Sequence, residues 1–142
     1  MDSSPISSKK APKPVGLYPH ARKVGNLLFL SGVGPRKAQS DIHDSFIPKL
    51  ELDHNGNFIN FDFEAQCHSV FQNVKTILED SGSSWENLVD ITVFLVDMKR
   101  DFNTFNKIYA TYFKDNQPCR TTVAIDSLPT QIAIELKCIA TI

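Results

Sequence analysis

One arginine stands at the start of an uncharged, β-branched run near the end of the sequence. The stretch QPCRTTVAI (117–125) places Arg120 directly before residues that favour a strand. The planar guanidinium of an arginine donates two parallel hydrogen bonds to a carboxylate, and each charge-assisted bond contributes about 1.5–3 kcal/mol. The position of Arg120 at the mouth of a strand therefore suggests a group that binds an anion.

A glutamate lies at the centre of one face of the next predicted strand, residues 132–141. Apolar side chains fill the other face of this strand, and Glu135 is opposite to them. The turn between the two strands, residues 126–131, is short, so we expect antiparallel pairing, which would let Arg120 and Glu135 line one pocket at the interface between subunits. Arg120 would hold a carboxylate while Glu135 orients and deprotonates a water. The pair suggests hydrolysis of a carboxylate-bearing substrate, although spacing alone fits a salt bridge between neighbouring strands better.

Hydrophobic periodicity predicts the elements that position this pair. Apolar residues three and four apart predict helices over 62–80 and 101–114, and Asn55-Gly56 predicts a hairpin within 50–60. The aromatic residues of the second helix are interpreted as core packing. Short apolar runs predict strands at 18–23, 26–32, 90–96, 119–125 and 132–141. A mixed composition predicts one long loop over 36–50.

The predicted fold class is α+β, with a mixed β-sheet and two helices on one face. Two helices suffice to cover one face of such a sheet. The opposite face keeps apolar residues from the 90–96 strand, and an apolar face of this kind needs a partner. We therefore expect an oligomer whose subunits pack through the second face.

Length and charge favour one domain without a general affinity for nucleic acid. The chain has 142 residues, a formal net charge of -1 and 22% charged residues. No apolar stretch approaches the ~18 residues that span a bilayer, so no membrane association is expected. Residues 1–14 are rich in Ser, Lys and Pro and have no apolar core, so we predict a disordered tail followed by a domain over 15–142.

The cysteines and histidines show no metal or disulfide pattern. Three cysteines without CxxC spacing favour a reducing compartment, and we expect a cytoplasmic protein. His43, His54 and His68 lack the spacing of a four-ligand set, so no metal is expected. Cys119 remains a candidate reactive thiol, because the neighbouring Arg120 is a cation that lowers thiol pKa values.

Four motifs resemble the RidA/YjgF family of imine and enamine deaminases, and they look closest to the branch that contains 2-aminomuconate deaminase. The motifs are GLYPHARKVGNLLFLSG (16–32), DFNTFNKIYATYF (101–113), PCRTTVAIDSLP (118–129) and IAIELKCIA (132–140). The resemblance covers the chain from Gly16 to Ala140. It implies a chorismate-mutase-like fold, a homotrimer with its sites at subunit interfaces, and chemistry without a cofactor.

The resemblance also implies roles for individual residues. The family's arginine that holds the substrate carboxylate matches Arg120, and the glutamate that positions the attacking water matches Glu135. The family's site-lining positions fall on Tyr18, Ser31, Gly32 and Asn106. One departure is Lys137, which stands where the family often has a second glutamate, and another is Cys119, where alanine is common.

The substrate is a small carboxylate in this interpretation, and its identity stays open. A dicarboxylic substrate such as 2-aminomuconate needs a second cation, for which His20, Arg36 and Arg22 are candidates. A small enamine such as 2-aminoacrylate is the alternative within the same chemistry. A non-catalytic trimer that binds ligands, acts like a chaperone or acts on RNA is the alternative of another class, but no basic stripe with interleaved aromatics favours RNA.

Overall fold

A computed structural model describes residues 3–38 and 51–142. Within these ranges, eight strands form a six-stranded mixed sheet and a separate two-stranded hairpin, and two α-helices pack on one face of the larger sheet. The elements are β1 (Ser3–Ile6), β2 (Ala21–Val24), β3 (Leu27–Leu30), β4 (Glu51–Leu52), β5 (Phe58–Asn60), α1 (Phe63–Asp80), a 3₁₀ turn (Trp85–Asn87), β6 (Leu88–Leu95), α2 (Met98–Tyr112), β7 (Cys119–Ala124) and β8 (Ile134–Thr141). The predicted α+β architecture is confirmed.

The strand order of the large sheet is β1-β2-β3-β8-β6-β7, and only β6 and β7 run parallel. The expected direct pairing of β7 with β8 is therefore wrong, because β6 lies between them. The helix α2 connects β6 to β7, and a helical crossover of this kind returns the chain parallel to the strand it left. β8 then pairs with both β3 and β6, so it occupies the interior of the sheet.

Both helices begin at aspartates that cap them. The side chain of Asp62 accepts a hydrogen bond from the Ala65 backbone N–H at 2.9 Å. The helix α1 ends at Asp80, and its C-cap Ser81 is followed by Gly82 with a φ of +82°. The side chain of Asp97 accepts from the Arg100 N–H at 3.0 Å. The second helix therefore begins at Met98 rather than at the predicted residue 101.

The predicted disorder of residues 1–14 is wrong for the part that the structure describes. Residues 3–6 form β1, which pairs antiparallel with β2. Beyond β1, Ser8 and Ala11 are buried, and the Ser8 hydroxyl donates to Asp80 at 2.5 Å. Composition alone favoured a disordered segment, but its partners lie far along the chain, where local sequence does not reveal them.

The core lies between the helices and the sheet. It contains the buried face of each central strand, including Leu28, Leu30, Ile91, Val93, Leu136 and Cys138, together with the stripe of α1 around Val70, Phe71 and Val74.

The hairpin predicted within 50–60 is present as β4 and β5, with Gly56 at a φ of +83°. Most of the loop predicted over 36–50 lies outside the described residues. Among the described helices, none is long and apolar enough to cross a membrane.

Candidate active site

The carboxylate of Glu135 occupies the space that a side chain at Gly32 would fill. Val33 and Leu136 exchange two backbone hydrogen bonds, of 2.8 and 2.9 Å, and these place Gly32 beside Glu135. A β-carbon added to Gly32 would lie 2.9 Å from both Cδ and Oε2 of Glu135. The absence of a side chain at this glycine is therefore what leaves space for the carboxylate.

Glu135 is half-buried and makes no hydrogen bond or ion pair with any described residue. Burial raises the pKa of its carboxyl above the ordinary value, because the charged form loses solvent. The neighbouring Lys137, which points to the same face of β8, donates instead to the backbone carbonyl of Leu30. A half-buried carboxylate with a raised pKa and no partner is suited to accept a proton from water.

Five of the residues predicted to bind substrate line one cleft of about 50 Å³, which we call the Gly32 cleft: Tyr18, His20, Ser31, Gly32 and Arg36. The Ser31 hydroxyl donates to the Pro19 carbonyl at 2.7 Å, and Arg36 Nη2 donates to the Lys13 carbonyl at 2.8 Å. The structure thus brings these five positions together, next to the carboxylate of Glu135.

His20 has a structural role in this cleft. Its Nδ1 accepts a hydrogen bond from the Ser8 N–H at 2.9 Å, and its Nε2 donates to the Pro12 carbonyl at 2.8 Å. Because Nδ1 accepts, the ring carries its proton on Nε2 and is neutral in this arrangement. The imidazole therefore fastens the N-terminal segment and is not placed as a second cation for a substrate.

Arg120 lies on the opposite face of the sheet from Glu135. Arg120 is in register with Ile91 of β6, and Glu135 is in register with Phe94. These two β6 residues are three positions apart, so their side chains point to opposite faces. Because they lie on opposite faces, Arg120 and Glu135 of one chain do not line the same pocket. They also form no ion pair with each other, so the alternative of a salt bridge between neighbouring strands is wrong as well.

Aromatic rings of α2 surround the Arg120 guanidinium. Its Cζ lies 4.6 Å from the ring centroid of Tyr109, 5.5 Å from that of Phe105 and 5.9 Å from that of Phe102. From the sequence, these rings are interpreted only as core packing. Phe102, Phe105 and Tyr109 are three and four residues apart, which places their rings on one side of the helix. This spacing, shortly before an arginine, is the sequence signal that could have indicated a surface for Arg120.

Two further predicted site residues lie at this end of the sheet. Asn106 is exposed on α2, four residues after Phe102 and three before Tyr109, so it shares their side of the helix. Cys119 is an exposed free thiol at the start of β7. Arg120 and Asn106 thus form one group, and the residues of the Gly32 cleft with Glu135 form another. No cluster of three or more potential metal ligands occurs in the described parts of the chain.

Comparison with known proteins gives consistent family and fold matches. The family model described as Endoribonuclease L-PSP matches residues 8–142. The chain is 37% identical over 137 residues to Reactive Intermediate Deaminase A, chloroplastic, of Arabidopsis thaliana, covering 96% of this chain and 65% of that protein. It is 35% identical over 135 residues to a RutC family protein of Pyrococcus abyssi, covering 95% and 94% of the two chains.

Solved structures of similar proteins share the whole fold. The crystal structure of yeast Mmf1 matches with a TM-score of 0.79 and 33% identity, covering 99% of this chain and 98% of that one. The crystal structure of E. coli TdcF with bound serine matches with a TM-score of 0.80 and 27% identity, covering 98% of each chain. The similarity therefore extends through both groups of candidate residues.

Proposed function

This chain belongs to the Endoribonuclease L-PSP family, and we propose that it is a hydrolytic deaminase of imines and enamines that carry a carboxylate. Family membership confirms the resemblance to the RidA/YjgF proteins. A relative of the chain is named a reactive intermediate deaminase, which supports this chemistry. The net charge of -1 gives no reason to prefer the ribonuclease activity in the family's description.

The observation that carries the proposal is the carboxylate of Glu135. It is half-buried, has no hydrogen-bond or ion-pair partner among the described residues, and occupies the space that a side chain at Gly32 would fill. Its raised pKa makes it a stronger base toward water than an exposed carboxylate. A structural glutamate at this depth would be expected to make an ion pair or hydrogen bonds.

An enamine substrate first tautomerises to the imine, and the reaction then proceeds by addition of water to the imine carbon. Arg120 binds the substrate carboxylate, which orients the imine and withdraws electron density from its carbon. Glu135 takes a proton from water as the oxygen forms a bond to that carbon, and the electrons of the C=N π bond move to nitrogen. The protonated Glu135 then returns its proton to nitrogen, which gives a carbinolamine. Glu135 next passes the hydroxyl proton of the carbinolamine to nitrogen, the C=O bond forms as the C–N bond breaks, and the products are ammonia and a 2-oxo acid.

The complete site requires more than one copy of the chain, and we propose a homotrimer in which Arg120 of one copy faces the Gly32 cleft of the next. The cleft of about 50 Å³ is far smaller than the ~300–1,000 Å³ of complete ligand pockets, so it needs a further wall. On the face that carries Glu135, Phe94 of β6 is in register with Glu135, and the exposed Val123 of β7 is in register with Phe94. An apolar surface beside the carboxylate is suited to be covered by a second subunit.

Mixing two inactive variants tests both parts of the proposal. Arg120→Ala and Glu135→Gln should each lose ammonia release from 2-aminoacrylate generated in situ by a dehydratase. Co-expressed in equal amounts, they should recover about one quarter of wild-type activity, because about three quarters of random trimers are mixed and each mixed ring has one interface with both native groups. Failure to recover activity would refute the shared site, and activity in Glu135→Gln alone would refute the chemistry.

For the substrate, we propose a dicarboxylic enamine such as 2-aminomuconate. Of the three candidate cations, Arg36 lines the Gly32 cleft, whereas Arg22 donates to the Ser3 hydroxyl and His20 is neutral. Arg36→Gln should therefore reduce kcat/KM for 2-aminomuconate more than for 2-aminoacrylate. A wild-type enzyme that strongly prefers the small substrate would contradict this choice and leave the general deaminase.

A further inference from the structure

The Arg120 guanidinium is held by aromatic rings rather than by an acid. The nearest ring is that of Tyr109, whose centroid lies 4.6 Å from Cζ, and Phe105 and Phe102 follow at 5.5 and 5.9 Å. Among the described residues, no carboxylate forms an ion pair with Arg120. The electron-rich face of a ring attracts a cation without neutralising its charge. The guanidinium is thus fixed in place while its charge stays available to an anion.

The ring of Tyr109 is itself held rigidly. It stacks on Phe113 at a centroid distance of 4.3 Å, and it contacts Phe105 at 5.6 Å and Phe71 at 6.3 Å. The Tyr109 hydroxyl is buried and has no hydrogen-bond partner among the described residues. Burial raises the pKa of Tyr109, so the phenol stays neutral at pH 7. The ring, and not the hydroxyl, is therefore the part of Tyr109 that acts on Arg120.

The two contacts of a guanidinium use different parts of the group. A ring packs against its flat face, whereas a carboxylate accepts hydrogen bonds along its N–H edge. The contact between Cζ and the face of the Tyr109 ring therefore leaves the N–H edge to the substrate. It restricts the rotation of a long side chain, which reduces the entropy lost when the carboxylate binds.

We propose that Tyr109 is a positioning residue for the deamination proposed above: its ring holds the guanidinium of Arg120 so that the N–H edge is presented to the substrate carboxylate. This inference depends on the proposed role of Arg120. It concerns binding of the carboxylate more than the addition of water, so its effect falls mainly on KM and only slightly on kcat.

The test compares three single variants of the full chain. Tyr109→Leu removes the ring, and Tyr109→Phe keeps the ring and removes the hydroxyl. The control, Tyr112→Leu, removes a ring of the same aromatic cluster that packs on Phe71 and Trp85 but not on Tyr109 or Arg120. We expect Tyr109→Leu to raise KM about tenfold with kcat within about twofold of wild type, and Tyr109→Phe to keep the wild-type KM. Tyr112→Leu should lower the melting temperature without raising KM.

A binding measurement separates this inference from the proposed function. The dissociation constant of pyruvate, a small 2-oxo acid, is measured by titration calorimetry for wild type, Arg120→Gln and the Tyr109 variants. If Arg120→Gln weakens pyruvate binding but Tyr109→Leu does not, the positioning role is overturned while the function stands. If Arg120→Gln also leaves binding unchanged, the role of Arg120 itself is overturned. Should Tyr109→Leu fail to fold, Tyr109→Met, which fills the space without a ring, replaces it in both measurements.

Discussion

Replacing Gly32 with alanine should impair catalysis with little loss of stability. The added β-carbon would lie 2.9 Å from Cδ and Oε2 of Glu135 and 3.2 Å from Oε1. Ordinary van der Waals contact begins near 3.4 Å, so the carboxyl must move by at least 0.5 Å, the difference between 3.4 and 2.9 Å. Because the carboxyl is the far end of a flexible side chain, it can move without disturbing the fold.

The expected magnitude follows from that displacement. A misplacement of about 1 Å in a catalytic group can reduce the rate by about 10²-fold. A shift of at least half that size at the proposed base should lower kcat by about tenfold to a hundredfold. KM should change little, because Arg120 and its aromatic neighbours lie on the other face of the sheet. The φ of Gly32 is not positive, so alanine introduces no backbone strain there.

The assay is ammonia release from 2-aminoacrylate, coupled to glutamate dehydrogenase, together with a thermal melt of each variant. Gly34→Ala is the matched control, since its β-carbon would lie 3.0 Å from the Cδ1 methyl of Ile132 and would crowd an apolar group instead of a carboxylate. We expect Gly34→Ala to lower the melting temperature without a comparable loss of kcat. A Gly32→Ala enzyme with wild-type kcat would refute the assignment of Glu135 as the base.

Four other substitutions have expected effects that follow from the contacts of the replaced side chain. Glu135→Gln should lower kcat by about 10²–10⁴ while the free energy of unfolding, measured in urea, is equal to or above that of wild type at pH 7. His20→Ala should reduce the free energy of unfolding by about 2 kcal/mol, because the Ser8 N–H and the Pro12 carbonyl lose their partner. His68 is the control: it is exposed and its ring bonds to Tyr112 Oη at 2.6 Å, so His68→Ala should reduce the free energy of unfolding by under about 1 kcal/mol. An equal loss of stability in both histidine variants would contradict the structural role of His20. Asp97→Ala should cost about 1 kcal/mol through the lost cap of α2, visible in the same denaturation curves.

The pH dependence of the stability change in Glu135→Gln follows from the direction in which the pKa of Glu135 is shifted. Burial raises the pKa of this carboxyl in the folded protein above its value in the unfolded chain. The stability linked to the protonated form is fully present below the unfolded pKa and is lost as pH rises through the folded pKa. Glutamine does not titrate, so the stability of Glu135→Gln relative to wild type should increase as pH rises from about 4, the ordinary range of a glutamate, through the folded pKa. A relative stability that falls over this range would mean that Glu135 has a favourable partner.

Local patterns in the sequence predicted local structure well. The apolar stripe of α1 and its cap at Asp62 identified that helix to within a residue, and Asn55-Gly56 identified the hairpin. These features depend on side-chain period and turn chemistry over a few neighbouring residues. The alternation in β8 likewise predicted which of its faces carries Glu135.

Features that depend on distant contacts were not predictable in the same way. One such feature is the strand order: β6 lies between β7 and β8, because the crossover through α2 makes β6 and β7 neighbours. The N-terminal segment is ordered by bonds from Ser8 to His20 and Asp80, which are 12 and 72 residues away in sequence. The predicted cytoplasmic location also stays a prediction, because relatives include chloroplastic and mitochondrial proteins.

Separation of the two charged groups within one chain has a chemical consequence. If Arg120 and Glu135 were in contact in one chain, their attraction would lower the pKa of the carboxyl and occupy the guanidinium. The base would be weakened and the anion site would be blocked by the protein's own carboxylate. On opposite faces of the sheet, Glu135 keeps a raised pKa and Arg120 keeps its charge beside neutral rings. A site assembled from two copies can then bring both groups to the substrate from opposite sides, so that the substrate, rather than the partner residue, receives each interaction.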